Sequence, residues 1–314
     1  MRRVLRLGTR ASALATAQSA QVAQRLQVAT GRSVQLVTVT TAGDTSAEPL
    51  ARIGGSGVFV GALRQALLDD QVDLAVHSLK DLPTAPADGI HLAAVPVRAD
   101  PRDALVAGGA RRLDQLRSGA TVGTGSLRRA AQLRAWAREH GRTLDVVDLR
   151  GNVDTRLRRV ADGSLDAVVL AGAGLGRLGR LAEASELLDP QVMLPAPGQG
   201  ALAVETRAGS AELIQAVADA LDDPSTRAVV AAERSLLAGL AAGCSAPVGA
   251  YATVEVGMSG LEIHLRAVVV ATDGSRALAA SITGGTDAPD SLGRLLADQL
   301  LEAGADRLLG ERIA

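Results

Sequence analysis

The sequence predicts an α/β protein: two similar α/β lobes with mixed, largely parallel sheets, joined by two chain crossings, and a small C-terminal α+β domain with an antiparallel sheet. Three observations carry this. Short aliphatic runs alternate with longer segments of helical period from the N-terminus to about residue 170. Two breaks, Asp100-Pro101-Arg102-Asp103 and Pro195-Ala196-Pro197-Gly198-Gln199-Gly200, suit a passage from one lobe to the other and back. From Ser225 the style changes to a helix followed by strands with a hairpin signal, Thr272-Asp273-Gly274.

Residues 4–7 form the first strand, and 12–29 have helical period with Ser12 placed to cap it. Residues 34–40 are rich in β-branched side chains and give the next strand. Residues 41–57 hold Gly43, Gly54, Gly55 and Gly57 and no apolar period, which predicts a long loop of the kind used as a lid or binding loop. A helix over 58–68, a strand over 72–76 ending at His77, and a strand over 90–97 follow. The second lobe has a strand at 121–123, a helix from Ser126 to about His140, a strand over 144–149, a helix over 153–160 and a strand over 166–170. The last part has a helix over 225–240, strands over 248–256, 261–271 and 277–283, and a helix over 291–309. The domains are accordingly 1–98 with 200–219, 103–195, and 223–314.

Composition narrows the function classes. Hydrophobic residues make up 47% and charged residues 21%, ordinary for a soluble globular chain. Aromatic side chains are limited to Phe59, Trp136 and Tyr251, so the cores are aliphatic and the stacking platforms of single-stranded nucleic-acid binding are missing. A net charge of −1 gives no basic field for a polyanion. The N-terminus lacks a secretory apolar run and no segment reaches the length of a membrane span, so the expected setting is the cytoplasm, without nucleic-acid or membrane partners.

Cys244 is the single cysteine, in Ala241-Ala242-Gly243-Cys244-Ser245-Ala246-Pro247, and cannot close a disulfide within its chain. On a turn of small residues it is a candidate attachment point or nucleophile; the alternative is an unselected small hydrophobe. Among 33 basic residues Lys80 is the one lysine, in His77-Ser78-Leu79-Lys80-Asp81-Leu82-Pro83. Arginine's fork binds carboxylates in a two-pronged way that ammonium cannot match.

Three strand-to-helix junctions carry arginine beside small or capping residues: Gly8-Thr9-Arg10-Ala11-Ser12, Gly123-Thr124-Gly125-Ser126-Leu127-Arg128-Arg129, and Leu149-Arg150-Gly151-Asn152. Such junctions lie at the carboxyl ends of parallel strands, where ligands bind and helix amides favour anions. Together they predict a multi-point anion site. Arg134, Arg138, Arg158 and Arg159 fit a solvated face instead. Asp81, at a strand end, can stabilise a developing positive charge or move a proton, or else form a plain surface pair with Lys80. Gly174-Leu175-Gly176-Arg177-Leu178-Gly179 matches a dinucleotide fingerprint, yet no strand ending in an acid follows at the required distance. His77, His91, His140 and His264 are scattered without metal-ligand spacing.

Taken together, HSLKDLP, GTGSLRR, LRGNVDTRL, LPAPGQGA and AGCSAPVGA, in this order, closely resemble the porphobilinogen deaminase (hydroxymethylbilane synthase) family from Leu5 almost to the end. The resemblance implies a three-domain enzyme of tetrapyrrole biosynthesis with its active cleft between the first two domains. It implies a dipyrromethane cofactor joined by a thioether to Cys244. On that primer four porphobilinogen molecules are deaminated and added head to tail, before water cuts the linear tetrapyrrole free. It makes Asp81 the carboxylate that stabilises the azafulvenium cation left by departing ammonia. Lys80, Arg10, Ser12, Thr124, Ser126, Arg128, Arg129 and Arg150 hold the acetate and propionate groups, with Ser78, Gly151, Asn152, Arg177, Gln199 and Phe59 as further positions of the same site. The chain is expected to act as a monomer.

Two departures stand out. The family's lid pattern GGKGxFxKE reads Gly54-Gly55-Ser56-Gly57-Val58-Phe59-Val60-Gly61-Ala62, so both lysines are missing, and Arg52 and Arg64 are the nearby cations that could replace them. Gly125 stands where a second serine is common. Two other classes compete: a Schiff-base enzyme using Lys80, and a non-catalytic two-lobed anion-binding protein.

Overall fold

The computed structural model describes residues 4–39, 57–243, 246–257 and 260–310. The chain divides into two compact units, Met1–Ala99 with Ala201–Arg227, and Asp100–Gly200 with Ala228–Ala314.

In the first unit, β1 (Leu5–Thr9), α1 (Ala13–Thr30), β2 (Val34–Thr38), α2 (Gly57–Leu68), β3 (Leu74–Ser78) and β4 (Ile90–Ala94) are joined by the returning β10 (Leu202–Arg207) and α6 (Ala211–Leu221). The sheet order is β2-β1-β3-β10-β4, with β1 parallel to β2 and β3, and β10 antiparallel to β3 and β4. Ser12 caps α1 by accepting from the Ala15 N–H at 3.3 Å, and Gly31 ends it in the left-handed region at φ 64°. Helix α1 buries Val22, Ala23 and Leu26, at helical spacing, against Leu5, Leu7, Leu74 and Val204. On the other face Leu63, Ala66 and Leu67 of α2 pack on Val72 and Ala75.

In the second unit, β5 (Asp103–Ala107), β6 (Ala120–Gly123), α3 (Leu127–Glu139), β7 (Leu144–Val147), α4 (Val153–Ala161), β8 (Ala167–Ala171), α5 (Gly172–Arg177) and β9 (Glu186–Leu187) form a sheet of order β7-β6-β8-β5-β9. Here β6 is parallel to β7 and β8, while β5 is antiparallel to β8 and β9. Alternate residues of β8 serve opposite faces: Ala167 and Val169 meet Leu133 and Trp136, whereas Val168 and Leu170 meet Leu157 and Leu175.

The two sheets share one topology for a simple reason. Each antiparallel strand follows directly on a boundary between the units, and it starts opposite the end of a parallel strand, Asp103 beside Ala171 and Leu202 beside Ser78. A chain arriving at the carboxyl edge of a sheet can only run away from it. Strands β5 and β10 and helix α6 go beyond the elements expected from sequence.

The second unit also holds a three-stranded antiparallel sheet, β11 (Val248–Gly257), β12 (Gly260–Val270) and β13 (Ala277–Gly285), with α7 (Pro224–Gly239) from Ala228 onward, α8 (Pro289–Glu302) and α9 (Ala305–Gly310). The helix expected over 291–309 is broken at Gly304, whose φ is 93°. The turn before β13 docks on α3: Arg134 Nη1 donates to the Thr272 carbonyl at 2.8 Å, and a Cβ on Gly274 would clash with the Ala135 amide. Arg134 is therefore half-buried and engaged, unlike the solvated residue expected, whereas Arg138, Arg158 and Arg159 are exposed.

Candidate active site

Parallel pairing brings the ends of β1 and β3 to one edge of the first sheet, and with them Arg10, Ser12, Ser78, Lys80 and Asp81. Past Ser78 the chain makes one 3-10 turn, Leu79–Asp81. Leu79 and Leu82 are fully buried and anchor it, so the intervening Lys80 is left half-exposed and Asp81 exposed at the edge. Gln18 of α1 donates to Ser78 Oγ at 2.9 Å and fixes the strand end. Behind it lies a buried trio. Arg64 of α2 grips Glu205 through Nε (3.0 Å) and Nη2 (2.7 Å), and His77 Nε2 stands 3.3 Å from the same carboxylate, out of line for a good hydrogen bond. Burial pushes the Glu205 carboxyl up, but His77 and Arg64 outweigh it and bring it to about 2. Arg64 is thus committed to the core and does not take over from a lid lysine. Arg52 and the glycine-rich segment lie outside the described residues, as does the side chain of Phe59.

At the carboxyl edge of the second sheet, β6, β7 and β8 end side by side and lead into α3, α4 and α5. Ser126 caps α3, accepting from the Arg129 N–H at 3.4 Å, and Asn152 caps α4, accepting from the Thr155 N–H at 2.9 Å. Thr124, buried, accepts from the Ser126 N–H at 3.2 Å. A hydroxyl that accepts in this way keeps its own proton to donate. Gly151 has φ 108°, a conformation only glycine adopts without strain. At Gly125 a Cβ would stand 2.8 Å from the Leu149 carbonyl oxygen, so the first two junction loops touch where a serine would hold them apart. Arg150 is exposed and donates through Nε to Asp148 at 3.1 Å, a weak surface pair.

Arg128 and Arg129 are almost fully buried, and both turn to Asp103, which is completely buried at the start of β5. Arg128 Nη2 lies 2.7 Å from Oδ2, and Arg129 Nη2 and Nε lie 2.8 and 2.9 Å from Oδ1. Burial pushes the Asp103 carboxyl up, but the two guanidiniums and hydrogen bonds from Arg129 and Gln199 prevail and bring it to about 2. Two arginines and one aspartate leave one uncompensated positive charge in the cluster, and Arg128 Nε is buried without a hydrogen-bond partner. Arg156, half-buried on α4, is pushed down by burial and by the charge of Arg129. Arg177 donates to the Gly200 carbonyl at 2.7 Å and is lowered to about 10 by burial alone. Asp103 and Arg156 are additions to the expected set. Arg156 was readable from the helix period, since Val153, Leu157 and Val160 mark the buried stripe it borders and Arg158 and Arg159 fall off it. Gln199 is fully buried, and its amide donates to Asp103 Oδ1 and the Pro101 carbonyl, both at 2.8 Å. Gly174 and Gly176 lie inside α5 and not in a strand-to-helix loop, so they do not form the phosphate-binding turn of a dinucleotide fingerprint.

Cys244 and Ser245 lie outside the described residues. Their flanks are joined by a hydrogen bond from the Ala246 N–H to the Gly243 carbonyl at 2.9 Å. Beyond them β11 is pinned to the segment before Gln199: the Ala250 N–H donates to the Pro195 carbonyl at 2.9 Å, and Glu233 accepts from the Gly198 and Ala252 amides at 2.7 and 2.8 Å.

Residues 5–215 match the family model "Porphobilinogen deaminase, dipyromethane cofactor binding domain", and residues 228–302 match its C-terminal domain. The chain belongs to the porphobilinogen deaminase family. With that membership it is a transferase of tetrapyrrole biosynthesis. It is 58% identical to porphobilinogen deaminase 1 of Streptomyces coelicolor, over 99% of this chain and 98% of that one. It is 54% identical to the enzyme of Nocardia farcinica (98% and 88%) and 52% identical to that of Mycobacterium bovis (98% and 98%). Among solved structures, a periplasmic substrate-binding protein from Coxiella burnetii aligns with 73% of this chain and 96% of its own at 16% identity and a TM-score of 0.43, too slight to bear on the family.

Proposed function

We propose that the chain condenses four porphobilinogen molecules head to tail on a dipyrromethane primer, held by a thioether to Cys244, and releases a linear tetrapyrrole by hydrolysis. The observation that carries this reading is the buried arginine cluster with its surplus positive charge, set where three strand-to-helix junctions end side by side. The division into domains 1–98 with 200–219, 103–195 and 223–314 is part of the same reading.

The residues present fit an anionic group. An orphaned buried Arg128 Nε, an Arg177 depressed by burial alone and an Arg156 repelled by Arg129 are each relieved by a carboxylate. Arg128, Arg129, Arg150, Arg156 and Arg177, with the hydroxyls of Thr124 and Ser126 and the junction at Gly151 and Asn152, would hold the primer from the second unit. Arg10, Ser12, Ser78 and Lys80 would do so from the first. When bound, the dipyrromethane supplies a free pyrrole α-carbon as nucleophile and carboxylates as handles.

Each added pyrrole brings two carboxylates. A pair of these about 8 Å apart repels by about 0.5 kcal/mol in water and about 2 kcal/mol at the lower dielectric near a protein. Charge-assisted hydrogen bonds of about 1.5–3 kcal/mol each offset this. In each round the aminomethyl carbon–nitrogen bond breaks and nitrogen leaves as ammonia. A carbon–carbon bond would then form to the free α-carbon of the held chain, with loss of that carbon's proton. Positive charge would build on the pyrrole nitrogen in between, and we assign the exposed Asp81 carboxylate to oppose it. A histidine could not do so while protonated.

The chain is taken to act as a monomer in the cytoplasm, without nucleic-acid or membrane partners. No helix among the described residues is long and apolar enough to cross a membrane. Turnover of porphobilinogen by the Asp81→Ala variant tests the assignment. We expect kcat to fall by about 10²–10⁴-fold, with a thermal midpoint close to that of the parent. A rate near the parent's would remove Asp81 from its role.

A further inference from the structure

We infer that Asp103 and Gln199 are positioning residues for the anion site: Asp103 draws Arg128 and Arg129 into one fixed arrangement, and Gln199 holds Asp103 in place. The inference rests on the functional reading above and extends it to two side chains that a ligand cannot touch. Both are completely buried, so each acts through the arginines.

Consecutive residues on a helix do not face each other. Arg128 and Arg129 start about 100° apart around α3, and like charge drives them further apart. They converge because one carboxylate from β5 takes both, Oδ2 for Arg128 and Oδ1 for Arg129. One further donor of each arginine is guided by a backbone oxygen, Arg128 Nη1 to Leu194 at 2.5 Å and Arg129 Nη1 to Val169 at 3.2 Å. Gln132, one turn along α3, holds Leu194 from both sides, donating to its carbonyl at 3.0 Å and accepting from its N–H at 2.8 Å. The carboxylate also sets the charge. Without Asp103 two buried cations would oppose folding; with it one positive charge remains for a ligand.

Gln199 completes the device. Its Nε2 donates to Asp103 Oδ1 and to the Pro101 carbonyl, so one amide ties the chain just after the first passage between units to the chain just before the second. Buried ion pairs can often be replaced by apolar residues without loss of stability. Stability alone therefore does not call for this cluster, whereas orientation and charge do.

Gln199→Leu removes the amide at constant charge, and Asp103→Asn removes the charge. We expect the purified Gln199→Leu protein to fold, to carry the two-pyrrole adduct on a smaller fraction of molecules by intact mass, and to show a KM for porphobilinogen raised about tenfold with kcat changed less than about threefold. The Asp103→Asn protein should be found largely without adduct. If it does not fold, the glutamine variant decides alone. A Gln199→Leu protein with lowered thermal midpoint but full adduct and parental KM would overturn the inference, because its role would then be structural only. Absence of adduct from the parent would instead overturn the functional reading.

Discussion

A carboxylate sealed from water is costly unless its charge is compensated, and arginines offset that cost at Asp103 and at Glu205. Both stand at about 2 in the folded protein, against ordinary values of 3.8 and 4.5. A depressed carboxyl contributes stability that is fully present above its unfolded value and is lost as pH falls through its folded value. Unfolding free energy should therefore hold steady down to about pH 5 and fall between about 4.5 and 2, with Glu205→Gln flattening part of that fall. Urea midpoints measured across this range check it, and an unchanged slope in the variant would contradict it. The arginines of the site were legible because Gly123-Thr124-Gly125-Ser126 announces a helix start directly before them. Asp103 was not, because its meaning depends on a partner 26 residues away in sequence. Read alone, Asp100-Pro101-Arg102-Asp103 says only that the chain turns.

At the scale of elements, the arrangement depends on close approaches that glycine permits. Helices α7 and α8 cross at Gly293 and Gly239: a Cβ on Gly293 would overlap the Ala232 carbonyl and stand 2.8 Å from the Leu236 amide, and one on Gly239 would stand 2.6 Å from the Ala297 Cβ. Gly293→Val should lower stability by about 1–3 kcal/mol, seen as a reduced denaturant midpoint, while a neutral result would mean the helices do not meet there. Most helices and parallel strands were readable from period and caps, since each buries a stripe of its own. Strands β5 and β10 were not. Both are short and buried on both faces, so they lack the alternation that marks a strand, and their antiparallel setting comes from where the chain enters the sheet. Helix α6, by contrast, carries a legible helical period in Leu213, Ile214, Val217 and Leu221, and it packs against α1 beside the returning strand β10.

At the scale of the whole molecule, the proposed chemistry draws on residues far apart in sequence. Asp81 precedes the first passage between units, the arginine cluster lies between the first and second, and Cys244 follows the third. No local pattern could have named the ligand; the order of five motifs along nearly the full chain did, and the family match over residues 5–215 and 228–302 agrees with it. What period and spacing supplied independently was the sign of the site: arginine-bearing helix starts at the carboxyl edge of a sheet call for anions. The central claim is that an acid-bearing primer is bonded to sulfur in this chain. Intact mass of the purified protein, followed by peptide mapping, tests it most directly. The account predicts an added mass of two pyrrole units on the peptide containing Cys244, absent from a Cys244→Ser variant; an active parent protein with an unmodified thiol would contradict it.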